Sequence, residues 1–379
     1  MTAPKGLLIL FLPARENINP FPRAIIFAIL ARGEGFSTDM ALFDDIIGFK
    51  NLHRAYLAAK KNKRYRFAIL EFGFHLENNL LELRKELVGK TYKHGGYREF
   101  VVTDSKKRII KAAPFRDRVI HHAVCDTIEP IFERGFIYDS YACRKEKGVH
   151  MAIKRLEKFI RSLCFNSRER ERETAPRREK NYCLKCDISK YFGSINHAIL
   201  LRQLSRKISD KNILWLLDEI IKSNPVGIPI GNLTSQLFAN IYLNELDHFI
   251  KRELHEKYYV RYMDDFLILN RDKKRLNLIK EQIKIFLRDR LNLELHPKKA
   301  QIFPIEKGID FLGYVVKDGY CLLRKSTIKR FLKKRKQYMA MLKNGKLSEK
   351  TVQNIHASWR GYAKFADSYK LMEELGLNK

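Results

Sequence analysis

Three aspartates of this chain sit where a carboxylate is costly. Asp264 and Asp265 are neighbours inside the apolar, β-prone run YYVRYMDDFLILNR (258–271), and Asp187 closes a second such run, YCLKCD (182–187). Taking one carboxylate out of water is unfavourable, and two side by side also repel, so the set needs a cation. No histidine or cysteine joins the three. That suits hard divalent ions with oxygen ligands, Mg2+ above all and Mn2+ as a substitute. Two such ions about 4 Å apart would activate a primer 3′-hydroxyl, stabilise the transferring phosphoryl group and hold the leaving pyrophosphate. An Asp-Asp pair alone is also a common hairpin turn, so its surroundings must decide.

Those surroundings read as alternating helices and short strands. FHLENNLLELRKELVG spaces Leu76, Leu80, Leu83 and Leu87 as one helix face and stops at Gly89. REFVVTDSKKRIIKAAPFRDRVIHHAV predicts two strands around an Asp104-Ser105 turn, then a helix after Pro114. The buried strand ending at Asp187 leads into a turn, and residues 198–223 are helical. A Gly/Pro-rich loop then runs into a long helix, PVGIPIGNLTSQLFANIYLNELDHFIKREL, before the aspartate hairpin and further short strands. Residues 164–181, almost wholly charged and polar, are expected to form a surface loop or insertion. Cys183 and Cys186 form a lone CxxC within a strand, with nothing to complete a zinc site, and read as core thiols. His121 and His122 lie in an apolar helical context and read as packing groups.

The 379 residues suffice for two or three packed units, and 45% of them are apolar. Lys and Arg exceed Asp and Glu by 31, an excess that implies a polyanionic partner, with nucleic acid ahead of a membrane surface. No run reaches the roughly 20 apolar residues needed to span a bilayer; LLILFLP and AIIFAIL are both short. Residues 1–41 read as an N-terminal extension rather than a signal peptide, with Met40 a candidate true start. Six cysteines in so long a chain make no disulfide framework, which points to a reducing cytoplasm. No acid occurs from Ile46 to Leu70, and between Arg324 and Lys350 eleven Lys or Arg face the single acid Glu349. In that tail Ile328, Phe331, Leu332, Met339 and Leu342 form a stripe expected to face the core, with Ser326 as the expected cap. Lys325, Lys329, Lys333 and Lys336 are then available to phosphate.

From about Leu42 to the C-terminus the chain resembles reverse transcriptases. YMDD (262–265) is similar to the family's metal-binding turn, and KCDISKYFGSINH to the strand carrying the first metal aspartate, here Asp187. The resemblance implies that the Ile188 carbonyl also faces the metal and that Phe192 screens out a ribose 2′-hydroxyl. GIPIGNLTSQLFANIYL resembles the loop and helix that cover the template–nucleotide pair, bringing in Ile230, Gly231 and Gln236. KKRIIKAAPFRDRVIHHAV resembles the fingers motif, in which Arg108 and Lys111 would hold the incoming triphosphate. LHPKKAQIF and FLGY resemble the later palm motifs. The implied fold is an α+β right hand: fingers over 42–181, a palm with a small antiparallel sheet over 182–322, and a short, basic helical thumb over 323–379. Part of the fingers would return between about 198 and 225.

One departure narrows the resemblance. Most of the family carries QGxxxSP in the covering loop, whereas this frame runs from Ile230 to Gln236, with isoleucine for the glutamine and glutamine for the proline. That pattern, with RGFIYDSYACRKEKGVH and SWRGYAKFADSY, resembles the reverse transcriptases of diversity-generating retroelements. The resemblance implies copying of a template RNA into cDNA from dNTPs, with errors opposite adenine. It also implies a small, basic, helical accessory protein as partner, no membrane, and the cytoplasm of a bacterial, archaeal or phage-encoding host cell. An alkyl group at 230 has no donor or acceptor and restrains a base pair only by shape, which is a physical basis for low fidelity. Two other readings stand beside this one: a retron, intron-like or phage-defence reverse transcriptase, and an RNA-binding scaffold with a silent site.

Overall fold

A computed structural model describes residues 38–103, 107–174 and 180–377. The expected Asp104-Ser105 turn lies outside them, as does the N-terminal extension except for its last four residues, which open a helix. Helices α1 (Thr38–Ile47), α2 (Phe49–Lys60), α3 (Phe67–Phe74) and α4 (Leu76–Val88) come first. In α4 the predicted leucine stripe is turned inward, with Leu80, Leu83 and Leu87 buried, and Gly89 caps its end. Strands β1 (Arg98–Thr103) and β2 (Lys107–Ala112) form an antiparallel hairpin, as the sequence predicts. Helix α5 (Phe115–Glu133) starts directly after Pro114 and packs against α2.

Helix α6 (Val149–Thr174) corrects the first part of the expected loop over 164–181, because it continues through the charged run to Thr174; residues 175–179 lie outside the described residues. The run alternates Arg and Glu, both good helix formers, and the alternation sets opposite charges three residues apart. Next come β3 (Tyr182–Asp187), a single turn α7 (Tyr191–Ser194), α8 (His197–Ser205), α9 (Lys211–Lys222) and α10 (Leu233–His248). Then come β4 (Tyr259–Tyr262), β5 (Asp265–Asn270), α11 (Lys273–Leu291) and β6 (Gln301–Pro304). Strands β3 to β6 form the palm sheet, antiparallel throughout, in the order β4-β5-β3-β6.

Both faces of this sheet are covered, and the period of two sorts its side chains into two cores. Leu184, Cys186, Phe266 and Ile268 join the core shared with α5, α10 and α11. Cys183, Leu267 and Leu269 join a second core with α6 and the C-terminal elements. The two CxxC thiols therefore point to opposite faces and are fully buried, as expected of core groups. A second sheet, β7 (Ile309–Phe311), β8 (Tyr314–Lys317) and β9 (Tyr320–Leu323), lies in that second core.

The chain ends in α12 (Lys325–Lys343), α13 (Glu349–Ala363) and α14 (Tyr369–Glu374). Phe331 of α12 stacks on Trp359 of α13 at 3.9 Å between ring centroids. The tail departs from its sequence reading twice. Arg324, not Ser326, is the N-cap of α12, and Ser326 lies inside the first turn. Met339 is 48% exposed, whereas Phe331, where α13 crosses the stripe, is buried. The mixture of helices with small antiparallel sheets is the α+β right-hand arrangement of fingers, palm and thumb.

Candidate active site

Antiparallel pairing brings the three aspartates to one end of the palm sheet. Asp187, the last residue of β3, is the register partner of Asp265, the first of β5. Tyr262 pairs with Asp265 across β4 and β5, so Met263 and Asp264 form a two-residue turn. Met263 is left-handed, at φ 58°. That conformation costs a side-chain-bearing residue about 1 kcal/mol, and a two-residue hairpin joining right-twisted strands requires it. The Ile188 N–H donates to the Asp264 carbonyl at 3.3 Å, tying the turn to the strand beyond Asp187. On the other side, the His296 N–H donates to the Asp187 carbonyl at 2.8 Å.

The electrostatics are those of a site short of positive charge. Burial pushes Asp265 up to about 7, and Asp187 and Asp264 add to this while Lys185 opposes it. Burial likewise raises Asp264, with Asp187 adding to it and Lys299 and Arg108 opposing it. The Asp265 Oδ1 atom is buried and has no hydrogen-bond partner. Lys299 donates to Asp187 Oδ2 at 2.6 Å, and among the described residues no three Asp, Glu, His or Cys side chains are arranged as a ready-made ion cage. A cation therefore already rests on one carboxylate of the set, while a second carboxylate keeps an orphaned oxygen. Such hard oxygen donors fit divalent cations and offer nothing to a softer metal.

The other expected site residues fall on either side. Phe192 lies in α7, and its carbonyl accepts from the Ile228 N–H at 2.8 Å, which fixes the covering loop to that turn. Ile230 is half-buried, and its carbonyl accepts from the Lys111 N–H at 3.0 Å, joining the same loop to β2. Gly231 has φ 121°, and a Cβ there would stand 2.7 Å from the Ile110 Cγ2 atom, so close approach and conformation both require glycine. Gln236 is half-buried in the first turn of α10. Arg108 is exposed and near enough to lower Asp264, whereas the Lys111 amine is engaged by Asn224 at 3.0 Å and Glu99 at 3.0 Å. Lys325, Lys329, Lys333 and Lys336 are all exposed on α12.

A buried network that the sequence reading did not single out stands behind the turn. Arg261 and Asp247 are both fully buried and pair through two bonds, Nε to Oδ1 at 2.7 Å and Nη2 to Oδ2 at 2.6 Å. The Tyr259 hydroxyl also donates to Asp247 Oδ1, at 2.7 Å. A signal was present: an arginine in the middle of YYVRYM, on a strand buried on both faces, must have an anionic partner. His121 matches its reading as a packing group. It is buried, stacked 5.3 Å from His94, and burial depresses it to about 3, so it is neutral.

The reverse transcriptase (RNA-dependent DNA polymerase) family model matches residues 93–316, which contain the three aspartates and every expected nucleotide-binding residue. The chain belongs to the reverse transcriptase family. This reverse transcriptase is an RNA-directed DNA polymerase. It is 28% identical over 324 residues to protein YkfC of Escherichia coli, covering 73% of this chain and 77% of YkfC. It is 26% identical over 304 residues to the group II intron-encoded protein LtrA of Lactococcus lactis, covering 61% of this chain and 47% of LtrA. The match therefore spans about half the length of LtrA. Among solved structures, telomerase from Candida albicans aligns with a TM-score of 0.44 and 12% identity, covering 65% of this chain and 51% of that one. Among its described residues, no helix of this reverse transcriptase is long and apolar enough to cross a membrane.

Proposed function

We propose that this reverse transcriptase makes cDNA from a template RNA with errors concentrated at template adenines, as part of a diversity-generating retroelement. The observation that carries the mutagenic part is Ile230. It sits at the joint between the covering loop and the fingers hairpin, where its carbonyl meets the Lys111 N–H. Its side chain offers the template–nucleotide pair neither donor nor acceptor, so geometry there is held by shape alone. Asp187, Asp264, Asp265 and the Ile188 carbonyl would hold two Mg2+ ions, which would activate the primer hydroxyl and stabilise the transferring phosphoryl group. Arg108 meets the triphosphate of the incoming dNTP, and Phe192 excludes a ribose 2′-hydroxyl by bulk. Lys111, engaged by Asn224 and Glu99, contributes its backbone to the covering loop more directly than its charge to the nucleotide. A small, basic, helical accessory protein would accompany the enzyme.

The test is dNTP incorporation on a primed RNA with Mg2+, with and without co-purified partners, followed by sequencing of the cDNA. Synthesis is expected to be lost in Asp264→Asn, and adenine-directed errors to fall in Ile230→Gln. An error spectrum unchanged in Ile230→Gln would refute the role given to that residue. The similarity to the group II intron-encoded protein LtrA supports a second reading, an intron-like enzyme without a mutagenic role. Accurate synthesis by the wild-type chain would select it.

A further inference from the structure

We propose that Arg261 is a positioning residue for the Asp264 carboxylate and acts through the Met263 carbonyl. The Arg261 Nη1 atom is not used on Asp247. It donates to the Met263 carbonyl at 3.1 Å and to Asn240 Oδ1 at 3.3 Å. Met263 is the left-handed residue of the turn, and the next residue is Asp264. A backbone in a sparsely populated conformation persists only where its surroundings hold it there. The Arg261 fork supplies that hold from within the protein.

The anchor of the fork is itself rigid. Arg261 pairs with Phe266 of β5 on one side. On the other, its N–H donates to the Asp139 carbonyl at 2.9 Å and its carbonyl accepts from the Tyr141 N–H at 2.9 Å. Asn240 is fixed in turn, donating to the Ala142 carbonyl at 2.8 Å. Burial works against the Arg261 charge and Asp247 more than offsets it, so the guanidinium remains charged. A buried ion pair is a poor device for stability alone, since apolar residues of the same volume often serve as well. What an apolar substitute cannot do is aim a third donor at a carbonyl. Asn240 and Asp247 both belong to α10, whose N-terminus carries the covering loop. The network therefore makes that helix and the carboxylate turn one body.

The inference rests on the polymerase reading for its kinetic test and on the turn alone for its physical test. Arg261→Lys keeps the charge beside Asp247, but a single ammonium cannot span both the carboxylate and the Met263 carbonyl. The expected result is a fall in kcat of about tenfold to a hundredfold, with KM for dNTP and Kd for primed template changed less than about twofold. Hydrogen exchange in a peptide covering 259–268 is expected to accelerate. The same substitution in a Met263→Asn background should cost kcat at least threefold less, since asparagine adopts the left-handed conformation readily and needs less restraint. Asn240→Ala removes one acceptor and leaves the Asp247 pair whole. It should shift kcat and exchange in the same direction by less, and keeps the test open should Arg261→Lys not fold. An equal loss of kcat in both backgrounds, with turn exchange unchanged, would overturn the proposal, as would a loss carried by KM or duplex affinity. If the wild-type chain made no DNA, the polymerase reading would fall, and the exchange experiment would still decide the role of Arg261.

Discussion

His121 shows how a single side chain sets a condition on the whole fold. Fully buried, stacked on His94 and with neither ring nitrogen bonded, it is neutral, and burial depresses it from 6.5 to about 3. The unfolded chain then binds the proton more readily than the folded one between those values, so stability falls as pH drops through that window. Each pH unit inside it removes about 1.4 kcal/mol at most. Thermal melts between pH 7 and pH 4 are expected to show a steeper decline for the wild type than for His121→Phe; parallel declines would contradict this assignment. The histidine was legible as a packing group because its neighbours in sequence are apolar. The three aspartates were legible for the converse reason, being carboxylates in runs that bury their side chains. Lys299 was not, because it reaches Asp187 from 112 residues away and a lysine in a basic chain carries no mark of its partner.

At the scale of elements, the covering loop is fastened at both ends, by backbone bonds at Ile228 and Ile230 and by the His197 and Asn224 side chains on the Gly227 carbonyl. Gly227 has φ 64°, and a Cβ on it would stand 2.6 Å from the Gly193 carbonyl carbon, next to the Phe192 carbonyl that the loop binds. Gly227→Ala is therefore expected to destabilise the protein by about 2 kcal/mol or more, with backbone and not a flexible side chain in the way. Urea melts check this, and a change within about 0.5 kcal/mol would mean that the turn relaxes freely. Elements with a period were readable: the leucine stripe of α4, the fingers hairpin and the aspartate hairpin lie where the sequence puts them. The extension of α6 to Thr174 was not, since a polar run has the same composition whether helical or not. Met339 of the α12 stripe misled as well, because an apolar periodicity marks a helix face without saying which neighbour covers it.

Over the whole molecule the excess of 31 positive charges governs encounters with RNA. Each phosphate that the protein neutralises releases counterions, so affinity falls as a power of salt concentration with a slope near −0.9 per phosphate on a duplex. Replacing Lys325, Lys329, Lys333 and Lys336 by alanine is expected to weaken binding of primed RNA and flatten that slope by about one unit for each phosphate left unneutralised. An unchanged slope in a salt titration would remove α12 from the interface. The palm sheet has a different consequence. Its strands are one layer thick, yet Leu184 and Phe266 belong to one core while Cys183 and Leu267 belong to the other. Neither side of this common wall can melt and leave the other with an intact boundary. Heat should thus take fingers, palm and thumb apart in a single cooperative step, and a cut made anywhere along β3 or β5 should cost both lobes their order at once.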